Sequence, residues 1–428
     1  MREMHLNLFI FGCGHHRAAW RHPASAIERL NDARYYESLA QTAERGKFDA
    51  IFFADWHAID NIADGPRSYF DPLTLLAALA RATEKIGLIS TVSSTFTTPF
   101  HAARTLASLD HLSKGRIGWN VVTSMFDSEA RNHGYDAMPP HAWRYGRATE
   151  FIDAVQKLWD SWDADAVIND RHGDYACKDK VRAVNHKGEH FSTQGPLTIP
   201  RPPQGHPVLF QAGASEEGRA VAAAKAEAIY AVAYDLEAAQ DYYRDMQRRA
   251  KLAGREKGIP VMPGLVTYVA STQAEAKAKQ QALDELLPVA TSLRQLESFI
   301  AQDCSGWELD APVPALPPLE DFTGPKGRYA TVLRIIRSEQ PTLRQLLGRL
   351  AAGGGHCTMV GTPEMIADRM EDWWRNDGAD GFNLMPPSLP SDIEDFVDQV
   401  VPVLQKRGLF RTEYQTDTLR GHLSLPPV

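Results

Sequence analysis

Short apolar runs alternate with amphipathic stretches along most of this 428-residue chain. The apolar runs lack a polar–apolar alternation, which is typical of parallel strands buried on both faces. The stretches between them repeat apolar positions every three to four residues, which predicts helices. Eight strands in strict alternation with helices predict an α/β fold, a (β/α)8 barrel. The predicted strands are HLNLFIFG, FDAIFFAD, IGLISTVSS, RIGWNVVT, HPVLFQAG, AIYAVAY, VMPGLVTYVA and DGFNLMPP.

Two intervals interrupt this alternation. Residues 163–206 are loop-rich, and residues 287–357 are interpreted as a second irregular interval, which holds the proline-rich piece APVPALPPLEDFTGP and the glycine run AAGGGHC. We therefore expect a single TIM-barrel domain over residues 1–428 with two insertions. An open doubly wound sheet is the alternative, but FGCGHHRAAWRHP after the first strand lacks the GxGxxG turn of that fold.

Composition removes several classes of protein. A net charge of −8 argues against nucleic acid and anionic membranes as partners. The four cysteines form no CxxC pair, and the histidine-rich HHRAAWRHP fits no standard metal spacing, so we expect neither a disulfide framework nor a metal. No signal peptide or membrane-length apolar stretch is evident, which predicts a cytoplasmic protein.

Polar side chains gather at the predicted carboxyl ends of the strands, where barrels of this kind build their active sites. A ring of amides and hydroxyls with one carboxylate suits a polar heteroaromatic ligand. The alternative is that the serines and threonines only cap the helices that follow. The ring comprises Asp55, Ser94, Thr95, Asn120, Thr123, Ser124, Gln211 and Ser215.

Two helix starts carry further candidate chemistry. In QAGASEEGRA, Ser215 is a good N-cap, and free N–H groups at a helix start bind anions, although the two following glutamates suit a simple cap. His141 and Tyr145 are four residues apart and share a helix face, as a donor pair or as packing. After the first strand, Arg17 and Arg21 could hold a substrate carboxylate.

Three motifs carry a family resemblance: GRIGWNVVTS, VLFQAGASEEGRAVAAAKAEAIY and TPEMIADRMEDWWRNDGADGFNLMPP. Together they resemble the nitrilotriacetate monooxygenase group of the bacterial-luciferase-like flavin monooxygenases, over nearly the whole chain. The resemblance implies a barrel enzyme that uses reduced FMN, supplied by a separate NAD(P)H-dependent flavin reductase. It implies insertion of one oxygen atom of O2 into a small organic substrate, often with C–N or C–S cleavage.

Carried over position by position, the resemblance implies a set of FMN contacts. Asp55 matches the aspartate near the flavin ring, and Ser94, with Thr95 adjacent, matches the polar end of the third strand. His141 and Tyr145 match a pair at a helix start, where Tyr145 reaches the phosphate. Ser215, with Ala214 beside it, matches the phosphate-binding serine.

The substrate side is less defined. His16 and Arg17 are candidates for substrate binding, and Asp55 with His15 or His16 is conceivable for acid–base work. Met125 stands where some relatives carry a polar side chain, and no catalytic residue is assigned. We expect the 287–357 insertion to act as a lid.

The resemblance also implies a homodimer or homotetramer. A dehydrogenase of the same fold that uses a deazaflavin (coenzyme F420) is one alternative function, and a non-catalytic flavin-binding protein is another. The motifs GWNVVTS and QAGAS favour the monooxygenase. The substrate itself stays open.

Overall fold

Eight parallel strands close into a barrel in the computed structural model, which describes residues 3–59, 62–66, 70–322 and 326–428. The ring runs β1–β2–β3–β4–β7–β8–β9–β11, and β11 pairs with β1 to close it. The eight predicted strands and the (β/α)8 fold are confirmed. The strands are β1 His5–Phe9, β2 Ala50–Phe53, β3 Gly87–Ser93, β4 Ile117–Val122, β5 His186–Lys187, β6 Ser192–Thr193, β7 Val208–Gln211, β8 Ala228–Ala231, β9 Val261–Val269, β10 Cys357–Gly361 and β11 Gly381–Leu384.

Helices follow the barrel strands and cover them from outside. Several begin as their sequences predict, with Asp71, Ser215 and Thr362 each accepting a backbone N–H as N-cap. The helices are α1 Ala33–Arg45, α2 Pro72–Ala82, α3 Pro99–Ser113, α4 Asp127–Asn132, α5 His141–Trp159, α6 Glu216–Lys225, α7 Leu236–Leu252, α8 Gln273–Asp284, α9 Val289–Ile300, α10 Lys326–Glu339, α11 Leu343–Ala351, α12 Pro363–Arg375, α13 Ser391–Asp395, α14 Val401–Lys406 and α15 Leu419–His422.

The amino-terminal end of the barrel is filled by apolar side chains. Leu419 and Leu423 from the α15 segment pack there with aromatic and aliphatic residues of the strands. Gly87 and Gly118 make room for this contact, because a Cβ on either would approach the Leu419 methyl groups to 2.6 and 2.9 Å. A ligand can therefore enter only from the opposite, carboxyl end of the strands.

Arg116 ties two helices to the barrel wall. Its guanidinium is buried and donates to the Ser113, Ile86, Ala80 and Thr83 carbonyls at 2.7–3.0 Å, and to the Thr83 hydroxyl at 2.8 Å. These acceptors lie at or just beyond the carboxyl ends of α2 and α3, where helices leave carbonyl groups without partners. One side chain thus satisfies both helix ends and fixes them beside β3 and β4.

The two intervals outside the alternation differ from each other. Residues 163–206 hold the short antiparallel pair β5–β6. The expectation of an irregular segment at 287–357 is wrong, since α9, α10 and α11 lie there around a hydrophobic cluster of their own that includes Leu296, Tyr329 and Leu346. Strand β10 was not predicted from the sequence; it pairs with the part of β9 beyond the contact of β9 with β8.

The division into one domain with two insertions stays a prediction. In the described part of the chain, no helix is long and apolar enough to span a bilayer.

Candidate functional site

Buried amides mark the barrel interior. Asn7 on β1 and Asn383 on β11 are register partners, and Asn120 lies on β4. Asn120 Nδ2 donates to Thr91 Oγ1 at 3.2 Å, but its Oδ1 has no hydrogen-bond partner among the described residues, nor do the Oδ1 atoms of Asn7 and Asn383. Buried acceptors without partners are costly, which indicates a bound molecule that donates hydrogen bonds.

Residues from two separate helices meet at one point of the rim. The hydroxyl of Tyr145 on α5 lies 3.5 Å from Ser215 Oγ, and Ser215 Oγ accepts the Gly218 N–H at 3.1 Å as the N-cap of α6. The rings of His141 and Tyr145 are 4.7 Å apart, and His141 Nδ1 is 3.6 Å from a Glu217 oxygen. The structure therefore brings His141, Tyr145 and Ser215 together at a helix start.

Two glycines shape the backbone at this helix start. A Cβ on Gly213 would lie 2.7 Å from Gly218 Cα, and a Cβ on Gly218 would lie 3.1 Å from the Tyr145 hydroxyl. The turn before α6 therefore rests directly on the first turn of the helix. The carbonyl of the exposed Ala214 accepts from Arg219 Nε at 3.0 Å, which holds the turn from outside. Such a glycine turn at a helix start is a cradle for a phosphate.

Asp55, at the end of β2, is the first member of a hydrogen-bonded chain. Its Oδ2 is 2.8 Å from His57 Nε2, and His57 Nδ1 is 2.7 Å from His133 Nε2. The bond to Asp55 raises the pKa of His57, whereas partial burial and the nearby His57 lower the pKa of His133. The ring of His133 stacks on Phe96 with centroids 4.2 Å apart. This hydrogen-bonded series of side chains can hold a proton between Asp55 and His57.

Hydrogen bonds join the segments that follow the carboxyl ends of β3 and β4. Ser94 Oγ donates to the Val122 carbonyl at 3.0 Å, and Thr95 Oγ1 donates to the Thr123 carbonyl at 2.8 Å. Their hydroxyl oxygens keep lone pairs for a donor on a ligand. Ser124 adopts a positive φ of 54°, and its carbonyl accepts from Arg144 of α5. The helix that carries His141 and Tyr145 therefore also braces this rim.

The loop after β1 places His16 and Arg17 differently. His16 is buried, with Nδ1 accepting the Ala18 N–H at 3.1 Å and Nε2 facing Asp284 Oδ1 at 3.0 Å, so both ring nitrogens are engaged. Arg17 Nη1 donates to Gln295 Oε1 at 2.6 Å. A pocket opens beside this loop and is lined in part by His15, His16 and Arg17.

Two half-buried imidazoles near this loop have lowered pKa values. Burial lowers the pKa of His15 to about 4, against the effect of its 3.0 Å contact with the Phe9 carbonyl. Burial, together with His15 and Arg328, lowers the pKa of His356 to about 3.

Within the described ranges, no three histidine, cysteine, aspartate or glutamate side chains converge as a metal site requires.

Residues 7–381 match the family described as luciferase-like monooxygenase. The chain belongs to this family. It is 44% identical over 428 residues to the N-acetyl-S-(2-succino)cysteine monooxygenase of Bacillus subtilis (strain 168), covering 99% of this chain and 97% of that one. It is 42% identical over 440 residues to nitrilotriacetate monooxygenase component A of Aminobacter aminovorans, with the same coverage of 99% and 97%.

A solved structure extends the likeness to three dimensions. A riboflavin lyase, with modified FMN and riboflavin, matches this luciferase-like monooxygenase with a TM-score of 0.84 at 30% identity, covering 99% of this chain and 96% of that one. The resemblance stated from the sequence is confirmed. The enzyme class predicted from it, a flavin-dependent monooxygenase, is confirmed as well.

Two features of the mouth of this luciferase-like monooxygenase suit a flavin. The cradle at α6 offers N–H groups and two hydroxyls to one phosphate, and the amides inside the barrel offer acceptors to ring N–H groups. His57 was not predicted from the sequence, although it had a local signal, two residues after Asp55 in DWH.

Proposed function

We propose that this monooxygenase binds reduced FMN at the barrel mouth and inserts one oxygen atom of O2 into a small organic substrate. The observation that carries the proposal is the single-phosphate cradle, in which the Ser215 cap, the Tyr145 hydroxyl and the Gly213 turn converge at the start of α6. The riboflavin lyase of the same fold, whose structure holds modified FMN, supports the choice of flavin.

In this proposal Ser215, Tyr145 and His141 bind the phosphate, and Ala214 lines the turn beside it. Two glutamates at the start of α6 would repel an anion if both were uncompensated. Glu216 is paired with Arg249, whose Nη1 and Nη2 donate to its two oxygens at 2.8 and 2.7 Å. Glu217 faces His141, which can share the charge of the carboxylate. The cradle therefore keeps an attraction for phosphate.

Asn120, Ser94 and Thr95 orient the ring system in this proposal, and Asp55 with His57 holds a proton beside it. The flavin, when bound, supplies the activation of O2. The contributions of the protein are binding, orientation and the exclusion of water. His16 and Arg17 stay candidates for the substrate side, at the edge of the pocket beside the loop after β1.

A separate flavin reductase is the proposed partner. One relative is named component A, which supports a system of more than one protein. The turn after β1 is not a dinucleotide fingerprint, so we expect no oxidation of NADH by the purified chain. A homodimer or homotetramer in the cytoplasm remains our expectation from the family.

Anaerobic titration with reduced FMN, reduced FAD and reduced deazaflavin tests the cofactor. We expect reduced FMN to bind more tightly than the other two. Coupled assays with a flavin reductase then follow O2 uptake across amines, thioethers and carboxylated substrates, with reductase alone as the control. Preference for the deazaflavin would identify a dehydrogenase, and steady NADH oxidation without reductase would contradict the two-component scheme.

A further inference from the structure

His133 is an exposed imidazole that hydrogen bonds connect to the end of β2. Its Nε2 lies 2.7 Å from His57 Nδ1, and His57 Nε2 lies 2.8 Å from Asp55 Oδ2. Asp55 and His57 are half-buried, whereas His133 is exposed. The three side chains therefore form one continuous series of hydrogen bonds, which runs from the rim of the barrel to the protein surface.

The loops that carry the two histidines hold them in contact. Buried Glu129 of α4 accepts the His57 N–H through Oε1 at 3.3 Å, and Asn132 of the same helix donates to the His57 carbonyl at 2.6 Å. The ring of Phe96 stacks on that of His133, with an angle of 9° between the planes. These contacts join the segments that follow β2, β3 and β4, so the position of His133 does not depend on the histidine pair alone.

The direction of each hydrogen bond follows from the chemistry of a neutral imidazole, which has one N–H donor and one nitrogen acceptor. A carboxylate only accepts, so a neutral His57 donates from Nε2 to Asp55. Its Nδ1 is then an acceptor, and His133 donates to it from Nε2. This leaves His133 Nδ1 as an acceptor at the exposed end. Such a series can pass a proton along its whole length.

The charges around the pair favour one protonated ring rather than two. The hydrogen bond to Asp55 raises the pKa of His57, against burial, and the charges of Asp55, Glu129 and Asp71 act in the same direction as this bond. Burial and the nearby His57 lower the pKa of His133, against the nearby carboxylates. Two imidazolium groups in contact would also repel each other. The pair therefore shares an excess proton.

We propose that His133 and His57 are a proton relay between solvent water and Asp55. A proton from water binds His133 Nδ1, and the proton on His133 Nε2 passes to His57 Nδ1. The proton on His57 Nε2 then passes to Asp55 Oδ2. No electrons are transferred, and the net change is a proton moved from water to the carboxylate. Both rings end in the other tautomer and return to the first by exchange with water, because neither is fully buried.

The proposed reaction needs such a path, and the inference rests on that proposed function. Insertion of one oxygen atom of O2 into a substrate reduces the other oxygen atom to water, which takes up protons. The ring system proposed to lie beside Asp55 also excludes water from the site. A path through His57 and His133 reaches Asp55 from the protein surface without opening the site to water.

Reoxidation of bound reduced FMN by O2 tests the relay without a known substrate. This reaction yields oxidised FMN and H2O2, and it takes up a proton when the reduced flavin is anionic. Stopped-flow absorbance follows it in a weak buffer, with and without added imidazole at the same pH and ionic strength. The variants are His133→Ala, which leaves space for imidazole, and His133→Phe, which fills that space and keeps a ring on Phe96. The matched control is His172→Phe, at an exposed histidine of the 163–206 interval.

We expect His133→Ala and His133→Phe to slow reoxidation about tenfold or more at low buffer concentration. Imidazole should restore the rate in His133→Ala but not in His133→Phe, and it should leave the wild type and His172→Phe unchanged. FMN affinity should stay as in the wild type in every variant. An unchanged rate in His133→Ala, or a loss that imidazole does not restore, would overturn the inference.

NMR of the ligand-free protein with 15N-labelled histidine adds a measurement that needs no flavin. A scalar coupling across the hydrogen bond should join His57 Nδ1 and His133 Nε2. The titration midpoint of His133 should be higher in His57→Gln than in the wild type, since the nearby His57 contributes to lowering the pKa of His133. Absence of the coupling, or an unchanged midpoint, would contradict the shared proton.

The two measurements separate this inference from the proposed function. Normal FMN binding without an effect of His133→Ala would overturn the relay and leave the proposed function standing. Failure of the wild-type protein to bind reduced FMN would refute the proposed function, while the NMR coupling would still decide whether His57 and His133 share a proton.

Discussion

The cradle at α6 gives a prediction in which two neighbouring hydroxyls behave differently. Ser215 Oγ accepts the Gly218 N–H at 3.1 Å, so it stabilises the free protein as a helix cap. The Tyr145 hydroxyl lies 3.5 Å from Ser215 Oγ, which is too long for a strong hydrogen bond. Tyr145→Phe therefore removes a group that matters only when a phosphate is present, whereas Ser215→Ala removes a cap as well.

The magnitudes follow from these contacts. Loss of an N-cap costs about 0.5–2 kcal/mol of the free energy of unfolding. An unfolding entropy of about 2.1 cal/mol/K per residue over 428 residues corresponds to about 0.9 kcal/mol/K. The melting temperature of ligand-free Ser215→Ala should thus fall by only about 0.5–2 °C, and that of Tyr145→Phe should not change.

Binding of FMN should be far more sensitive than melting. A charge-assisted hydrogen bond to phosphate contributes about 1.5–3 kcal/mol, so each variant should bind FMN about 10- to 150-fold more weakly. Riboflavin, which lacks the phosphate, is the control, and both variants should bind it as the wild type does. Titration calorimetry with the two ligands measures the difference. If Tyr145→Phe weakens riboflavin as much as FMN, Tyr145 contacts the ring system or only packs, and the phosphate assignment is wrong.

Three further changes test other parts of the structure. Burial raises the pKa of Asp392 to about 7, with Ser388 N–H bonded to it at 2.8 Å. A folded-state pKa above the unfolded one means that stability is lost as pH rises from about 4 to about 7, so Asp392→Asn should melt higher than the wild type at pH 8, and this difference should shrink as pH falls towards 4; equal melting at pH 8 would contradict this. Gly213→Ala places a Cβ 2.7 Å from Gly218 Cα, so it should lower FMN affinity in calorimetry, and unchanged affinity would show that the turn relaxes freely. Arg116→Met leaves four buried carbonyls short of a donor, so urea unfolding should show a loss of roughly 4 kcal/mol or more, and a loss below about 1 kcal/mol would contradict its proposed role.

The fold was predictable because its strongest signal is local. Each barrel strand is buried on both faces and therefore reads as an apolar run, and capping residues such as Asp71 and Thr362 mark where helices begin. Strand β10 was not predicted because it follows a glycine run and pairs with the long strand β9. Helices α9 to α11 were not predicted because the proline-rich piece between them interrupts the periodic pattern of apolar residues.

The candidate site was predictable only in part. A single stretch of sequence is enough to recognise a helix cap such as Ser215. The same holds for two residues spaced by four, such as His141 and Tyr145. His133 is not recognised in this way, since its contact with His57 joins residues that are distant in the sequence. The surroundings of His16 also depend on a distant residue, since Asp284, far along the chain, engages its ring.

Closure of the barrel by β1 and β11 has a consequence for biosynthesis. β1 ends at Phe9 and β11 begins at Gly381, so about 370 residues lie between two strands that must pair. At roughly 5–20 residues per second, a ribosome needs about 20–75 s to make that interval. Throughout this time the edge of β1 has no partner, and unpaired edges of apolar strands aggregate. The nascent chain therefore depends on protection, by chaperones or by its own helices, until the sheet closes.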